Sequence, residues 1–216
     1  MTKKQTPNKG RKFEQVREGA KSIFLRDGYC GASVDDIAAA ARVSKATLYS
    51  YFPDKALMYR EVLHHEIGRL RDVSPIDIPD DEPAPQALQR MAQQIAAWLA
   101  SDDIVRLRRA GIAEANRFGE QSRQLHAVLS DGLREAARRH LDCWIMAGHL
   151  TIKDSSMAAE HLIRLAGAFV QDRALLTPDD PADEEAIRQA GDAAASMFIA
   201  AYGICTNKPV SLAAAS

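Results

Sequence analysis

Apolar residues along this chain recur three and four positions apart, and no run of alternating β-branched residues interrupts them. The pattern predicts an all-α protein. Phe13, Val16, Ala20, Ile23 and Phe24 fall on one side of a first helix over about 12–27. Gly28 stands where a helix end calls for left-handed backbone. Ser33 precedes a short amphipathic run over 34–41, and Ser44 precedes another to about Tyr51. Each is a hydroxyl in capping position. Pro53 is placed for the first turn of a fourth helix through Leu57, Met58, Val62 and Leu70.

Residues 73–85 hold four prolines and four acids, a composition incompatible with a helix interior, and the pattern predicts a linker there. Amphipathic stretches follow over 86–101, 103–119, 121–148, 155–176 and 183–203. The expected organisation is a basic arm (1–11), a helical unit (12–72), the linker, a larger helical unit (86–205) and a loose tail (206–216).

Charge sharpens this division. Residues 1–72 carry 14 Lys and Arg against 9 Asp and Glu, whereas the rest carries 14 against 20. A basic front end on an acidic body suits contact with a polyanion by one end only. No apolar run reaches the roughly 20 residues of a membrane span, and the basic N-terminus lacks a signal-like apolar stretch, so a cytoplasmic location is expected. Cys30, Cys143 and Cys205 are widely spaced and read as buried or incidental thiols. The chain has no phosphate-binding Gly loop, zinc-protease motif or nucleophile elbow. It reads as a non-enzyme with no cofactor and no metal, and His64-His65-Glu66 has the wrong spacing for a zinc signature.

The informative unit is Ser33 to Phe52. Two short helices joined by a tight turn bury little alone; their use is to hold the second helix where it can enter a DNA major groove. Val34, Ile37, Ala38, Val43, Leu48 and Phe52 are spaced to form the inner face. Lys45, Ala46, Thr47, Tyr49, Ser50 and Tyr51 are left outward or at the rim. Small side chains permit close approach to a duplex, and hydroxyls and an amine reach phosphates and base edges.

Gly28-Tyr29, Ser33-Val34, Ile37-Ala38, the run Val43-Ser-Lys-Ala-Thr-Leu-Tyr-Ser-Tyr-Phe52 and Lys55 together resemble the DNA-binding domain of TetR-family regulators, over about 60 residues. Ala46 departs from the Gly common there. The resemblance implies a homodimer that grips a palindromic double-stranded operator, usually as a repressor, and is released by a small, mostly apolar effector. It implies Ser33 near a phosphate, Ser44, Lys45, Ala46, Thr47, Tyr49 and Ser50 at the groove, and Tyr51 and Lys55 on backbone phosphates. Residues 107–118 and 158–176 resemble the C-terminal domain of the AefR-like branch.

In the C-terminal half, Ile187, Ala190, Gly191, Ala194, Phe198, Ala201 and Tyr202 make a stripe of mostly small residues at helical spacing. A helix over 158–176 is apolar on more than one side through Leu162, Leu165, Ala166, Phe169 and Val170. Two readings fit: an internal helix pair, or a face for a second partner. The resemblance favours the second, a four-helix dimer bundle using Leu162, Phe169, Ala190, Ala194, Phe198, Ala201 and Tyr202. It also implies an effector pocket, for which Met91, Ile95, Trp98, Ile104, Phe118, Trp144 and Ile145 are the apolar candidates and Asn116 and His149 the polar ones. Gly68 inside the fourth helix has two readings, close approach of a neighbouring helix or a pliable lever end.

Overall fold

A computed structural model describes residues 10–79 and 82–203. Helices α1 (Arg11–Gly31), α2 (Val34–Ala40), α3 (Lys45–Tyr51) and α4 (Lys55–Arg71) are followed by α5 (Ala84–Ala100), α6 (Asp102–Ala113) and α7 (Gly119–His126). A π-turn (Ala127–Asp131) leads into α8 (Gly132–Met146), and α9 (Ser155–Gly167), α10 (Gln171–Leu176) and α11 (Glu184–Tyr202) complete the described residues. No β-strand occurs among the described residues, so the protein is all-α. The arm expected over 1–11 lies outside the described residues as far as residue 9, and Cys205 and the expected tail lie wholly outside them.

Local chemistry sets the helix ends, with differences from the sequence expectation. Gly28 does break α1, at φ 71° and ψ 174°, a region open essentially to Gly, but one further turn runs on to Gly31. The fourth helix begins two residues beyond the Pro53 expectation, at Lys55, because the Asp54 carboxylate accepts from Leu57 N at 2.8 Å and takes the capping position. The expected helix over 155–176 is split. Ala168 N and Val170 N bond three residues back, to Leu165 O and Gly167 O, and the tightened turn carries Val170 inward, 1% exposed. Gly148, at φ 77°, follows the end of α8.

Packing does not follow the linker. One core joins α1–α4 to Ile104, Leu107, Phe118, Leu125 and Leu129 from α6, α7 and the π-turn. A second holds α5, α8, α9 and α11, and Trp98 touches both. The linker itself is docked, with Ile76 buried. The Gln94 amide accepts from Asp77 N (2.9 Å) and donates to Asp77 O (2.8 Å), and Arg90 forks onto Glu82.

Gly68 is exposed, and nothing lies within 4 Å of where its Cβ would be. That excludes close helix approach as its reason. Gly68→Ala is therefore expected to stabilise the protein by about 1 kcal/mol, from helix propensity alone; urea unfolding measures it, and a destabilised variant refutes it.

Candidate nucleic-acid interface

The α2–α3 pair is built on its inner residues. Ile37, Ala38, Leu48 and Phe52 are buried, with Val34 and Val43 half-buried beside them. Gly19 lets α1 lie directly against the turn that follows α2, since a Cβ there would stand 2.6 Å from Ala41 N. The turn also holds Arg42 in left-handed backbone at φ 51°. Sequence reading missed this, and a non-Gly residue in that conformation is uncommon.

Both short helices are capped as expected. Ser33 Oγ accepts from Asp35 N and Asp36 N at 3.1 and 3.2 Å. Ser44 Oγ accepts from Thr47 N at 3.1 Å and lies 2.9 Å from Thr47 Oγ1, while Ser50 Oγ donates to Thr47 O at 2.6 Å. Half-buried Thr47 is thus occupied with its own helix. Ser44, Lys45, Ala46, Tyr49 and Ser50 share the exposed surface of α3.

Lys45 is not idle there. Its Nζ lies 2.6 Å from Asp35 Oδ1 on α2, and the hydrogen bond and charge of Asp35 raise the Lys45 pKa. Both partners are exposed, so the pair is weak and readily exchanged for another anion. Asp35 as this partner was legible only as one of two acids after Ser33.

Two residues implied to touch phosphate also make contacts within the subunit. Tyr51 is half-buried and stands edge-on to Phe13, with ring centroids 6.0 Å apart. Lys55 is turned into the protein: its Nζ donates to Ala32 O at 2.8 Å and lies 4.7 Å from the Tyr29 ring centroid. Carbonyls exposed where α1 ends attract that ammonium, so Lys55 fastens α4 to α1.

From this module α4 leads into the C-terminal half through apolar and ionic contacts. Phe118, placed by the sequence reading in an effector pocket, instead packs against both Tyr29 and Tyr59, at centroid distances of 4.9 and 4.7 Å. Tyr59 OH donates to Ala110 O of α6 at 3.3 Å, and burial pushes that hydroxyl far above the ordinary tyrosine range. Alongside runs a charged chain: Lys21 to Glu66 at 3.0 Å, Glu66 to Arg69 at 2.9 Å, Arg69 to Asp103 at 3.0 Å. Burial alone would push the Glu66 carboxyl up, but hydrogen bonds from Lys21 and Arg69 outweigh it and hold it below the usual range. The chain links α1, α4 and α6.

Comparison with known proteins agrees with this layout. Residues 16–62 match the model for bacterial regulatory proteins of the tetR family, and residues 86–204 match the AefR-like transcriptional repressor C-terminal domain. The chain belongs to the TetR family. It is 37% identical over 67 residues to the HTH-type transcriptional repressor SCO4008 of Streptomyces coelicolor, a match covering 31% of this chain and 34% of the relative. It is 26% identical over 132 residues to the HTH-type transcriptional repressor DhaR of Mycobacterium sp. strain GP1, covering 61% of each. The chain therefore spans less than two thirds of either curated relative. A TetR-family regulator from Mesorhizobium loti superposes with a TM-score of 0.77 at 23% identity, covering 92% of this chain and all of that one. The flavonoid-responsive regulator FrrA superposes at 0.67 with 28% identity, over 90% and 98%.

As a TetR-family member the chain is a transcriptional regulator and not an enzyme. No helix among the described residues is long and apolar enough to cross a membrane. The fold does not gather the expected pocket residues round one space. Met91, Ile95 and Ile104 are core, Asn116 is exposed and Ile145 is half-buried. Trp98 walls one cleft, and Trp144 walls another with His149.

The small-residue stripe is likewise internal. Ala190, Ala194 and Phe198 are no more than 5% exposed, and a Cβ on Gly191 would stand 2.5 Å from Gln93 Cα on α5. Leu162 is fully buried. These four expected dimer residues, Leu162, Ala190, Ala194 and Phe198, thus hold one subunit together and have no side-chain surface left for another. Of the remaining expected dimer residues, Phe169 and Ala201 are exposed, and half-buried Tyr202 lies 2.8 Å from His161 Nδ1 through its hydroxyl. Cys30 and Cys143 are free and exposed, which of the two readings, buried or incidental, leaves the incidental one.

Proposed function

We propose that the chain is a repressor that binds a palindromic double-stranded operator as a homodimer and lets go when a small, amphipathic or apolar molecule occupies its C-terminal half. One observation carries the reading: Lys45, Ala46, Tyr49 and Ser50 stand exposed on one short helix whose opposite side, at Leu48, is buried against a capped partner helix. Such a helix presents a cation, hydroxyls and a near-bare backbone to base edges. Likeness to the flavonoid-responsive regulator FrrA supports an organic effector.

The test is fluorescence anisotropy with palindromic DNA taken from upstream of the chain's own gene. Wild-type affinity should fall steeply with salt. The Lys45→Ala, Tyr49→Ala double variant should bind at least about tenfold more weakly, as expected for a lost base contact of about 1–3 kcal/mol. Unchanged affinity sinks the assignment of α3 to the groove.

The dimer face is proposed one stripe round from the expected one. Ala193, Met197, Ala200 and Ala201 recur at i, i+4, i+7 and i+8 along the exposed side of α11, and Met157 is exposed on neighbouring α9. A stable dimer buries about 2,000 Å² or more of such surface. Met197→Arg should sediment as a folded monomer at micromolar concentration, where wild type sediments as a dimer. A wild-type monomer overturns the dimer, and a dimeric variant overturns this face.

A further inference from the structure

A cleft of about 460 Å³ opens between the C-terminal end of α4, Trp98 on α5, the π-turn and α8. Its floor is apolar, through Val128, Leu133 and Ala136, and its rim carries two guanidinium groups, Arg71 and Arg139. The size is that of a small-molecule site.

The two arginines stand apart from most others in the protein. Arg69, Arg90, Arg106, Arg134, Arg138, Arg164, Arg173 and Arg188 each pair with a carboxylate. Neither Arg71 nor Arg139 has an ion pair or hydrogen bond among the described residues. Glu135, one turn before Arg139, is taken by Arg138 through both oxygens. Asp72 is the one carboxylate on the wall, so the cleft presents two cations against one anion. The Trp98 indole N–H is also buried without an acceptor, and a small turn of the ring toward a ligand oxygen would relieve that.

We propose that this cleft binds an amphipathic organic monocarboxylate, its apolar body on Val128, Leu133 and Trp98 and its carboxylate between Arg71 and Arg139. Guanidinium groups match a carboxylate in shape and charge. The inference deepens the effector reading and rests on it for its regulatory meaning. Because Leu70, Arg71 and the turn after them form one wall, an occupant bears directly on the end of α4.

Calorimetric titration of the full chain tests this with 2-naphthoate and decanoate, each set against its own carboxamide. At least one acid should bind about ten- to a hundredfold tighter than its amide, as for a charge-assisted hydrogen-bond pair. Arg71→Gln with Arg139→Gln should abolish that preference. Gly132→Leu, at a helical position where nothing lies within 4 Å of the added Cβ, should fill the cleft and exclude acid and amide alike while the fold is kept. Equal binding of acids and amides, no binding by either acid, or a preference that survives the double arginine variant overturns the proposal. Operator release, measured in parallel, separates the two readings. An acid that binds as described yet leaves DNA affinity unchanged supports the cleft and removes its role as effector site. Failure of the acids to bind removes the cleft and leaves operator binding by α3 untouched.

Discussion

Phe118→Ala should lower folding stability by about 3–5 kcal/mol, the usual cost of removing a buried aromatic ring. The residue comes from the turn before α7, in the C-terminal half, yet only 2% of it is exposed and its neighbours are Tyr29 and Tyr59 of the N-terminal module. Arg60 lies over the same ring, 5.6 Å from its centroid. Truncation would leave a cavity at the joint and free two tyrosines that the ring holds. Thermal unfolding should shift down by roughly 10 °C, given about 2–4 °C per kcal/mol for a chain of this length. A loss under about 1 kcal/mol would mean that Phe118 is not part of the N-terminal core.

Gly191→Ala is expected to be damaging out of proportion to its one added methyl group, by about 3 kcal/mol. The new Cβ would stand 2.5 Å from Gln93 Cα and 2.7 Å from Gln93 N. Backbone of a packed helix cannot step aside as a flexible side chain can, so α5 and α11 must separate. Chemical denaturation measures the loss, and a variant within about 0.5 kcal/mol of wild type would refute the close approach. The same substitution at Gly68 has the opposite expected sign, since that position faces open space. Glycine in a helix has no single meaning; the atom nearest its missing Cβ decides the effect.

Much of this molecule is readable along one dimension. Capping hydroxyls at Ser33 and Ser44, the buried faces of α1 to α3 and the outward set on α3 follow from spacing of three and four, which is local information. Where the reading moved, a non-local contact was responsible. Phe118 is a large apolar residue near the end of the amphipathic stretch 103–119, and nothing in that pattern says which of two cores will receive it. Lys55 looks like a free cation until α1 ends beside it with carbonyls to offer. The inner stripe of α11 is small-residued because a helix passes very close; the spacing is identical whether that helix is α5 of the same chain or a copy on another.

By itself, then, the sequence determined an all-α chain, the α2–turn–α3 unit and its TetR-family pattern, because these rest on periodicity, capping and a contiguous motif. Only the tertiary structure decided which apolar faces pair within the subunit, that the residues marked for one pocket divide between core, surface and two clefts, and that Arg71 and Arg139 stand unpaired beside Trp98. The physical reason is the same in each case. Hydrophobic periodicity records that a face is buried, while the identity of what buries it depends on distances between residues far apart in the chain.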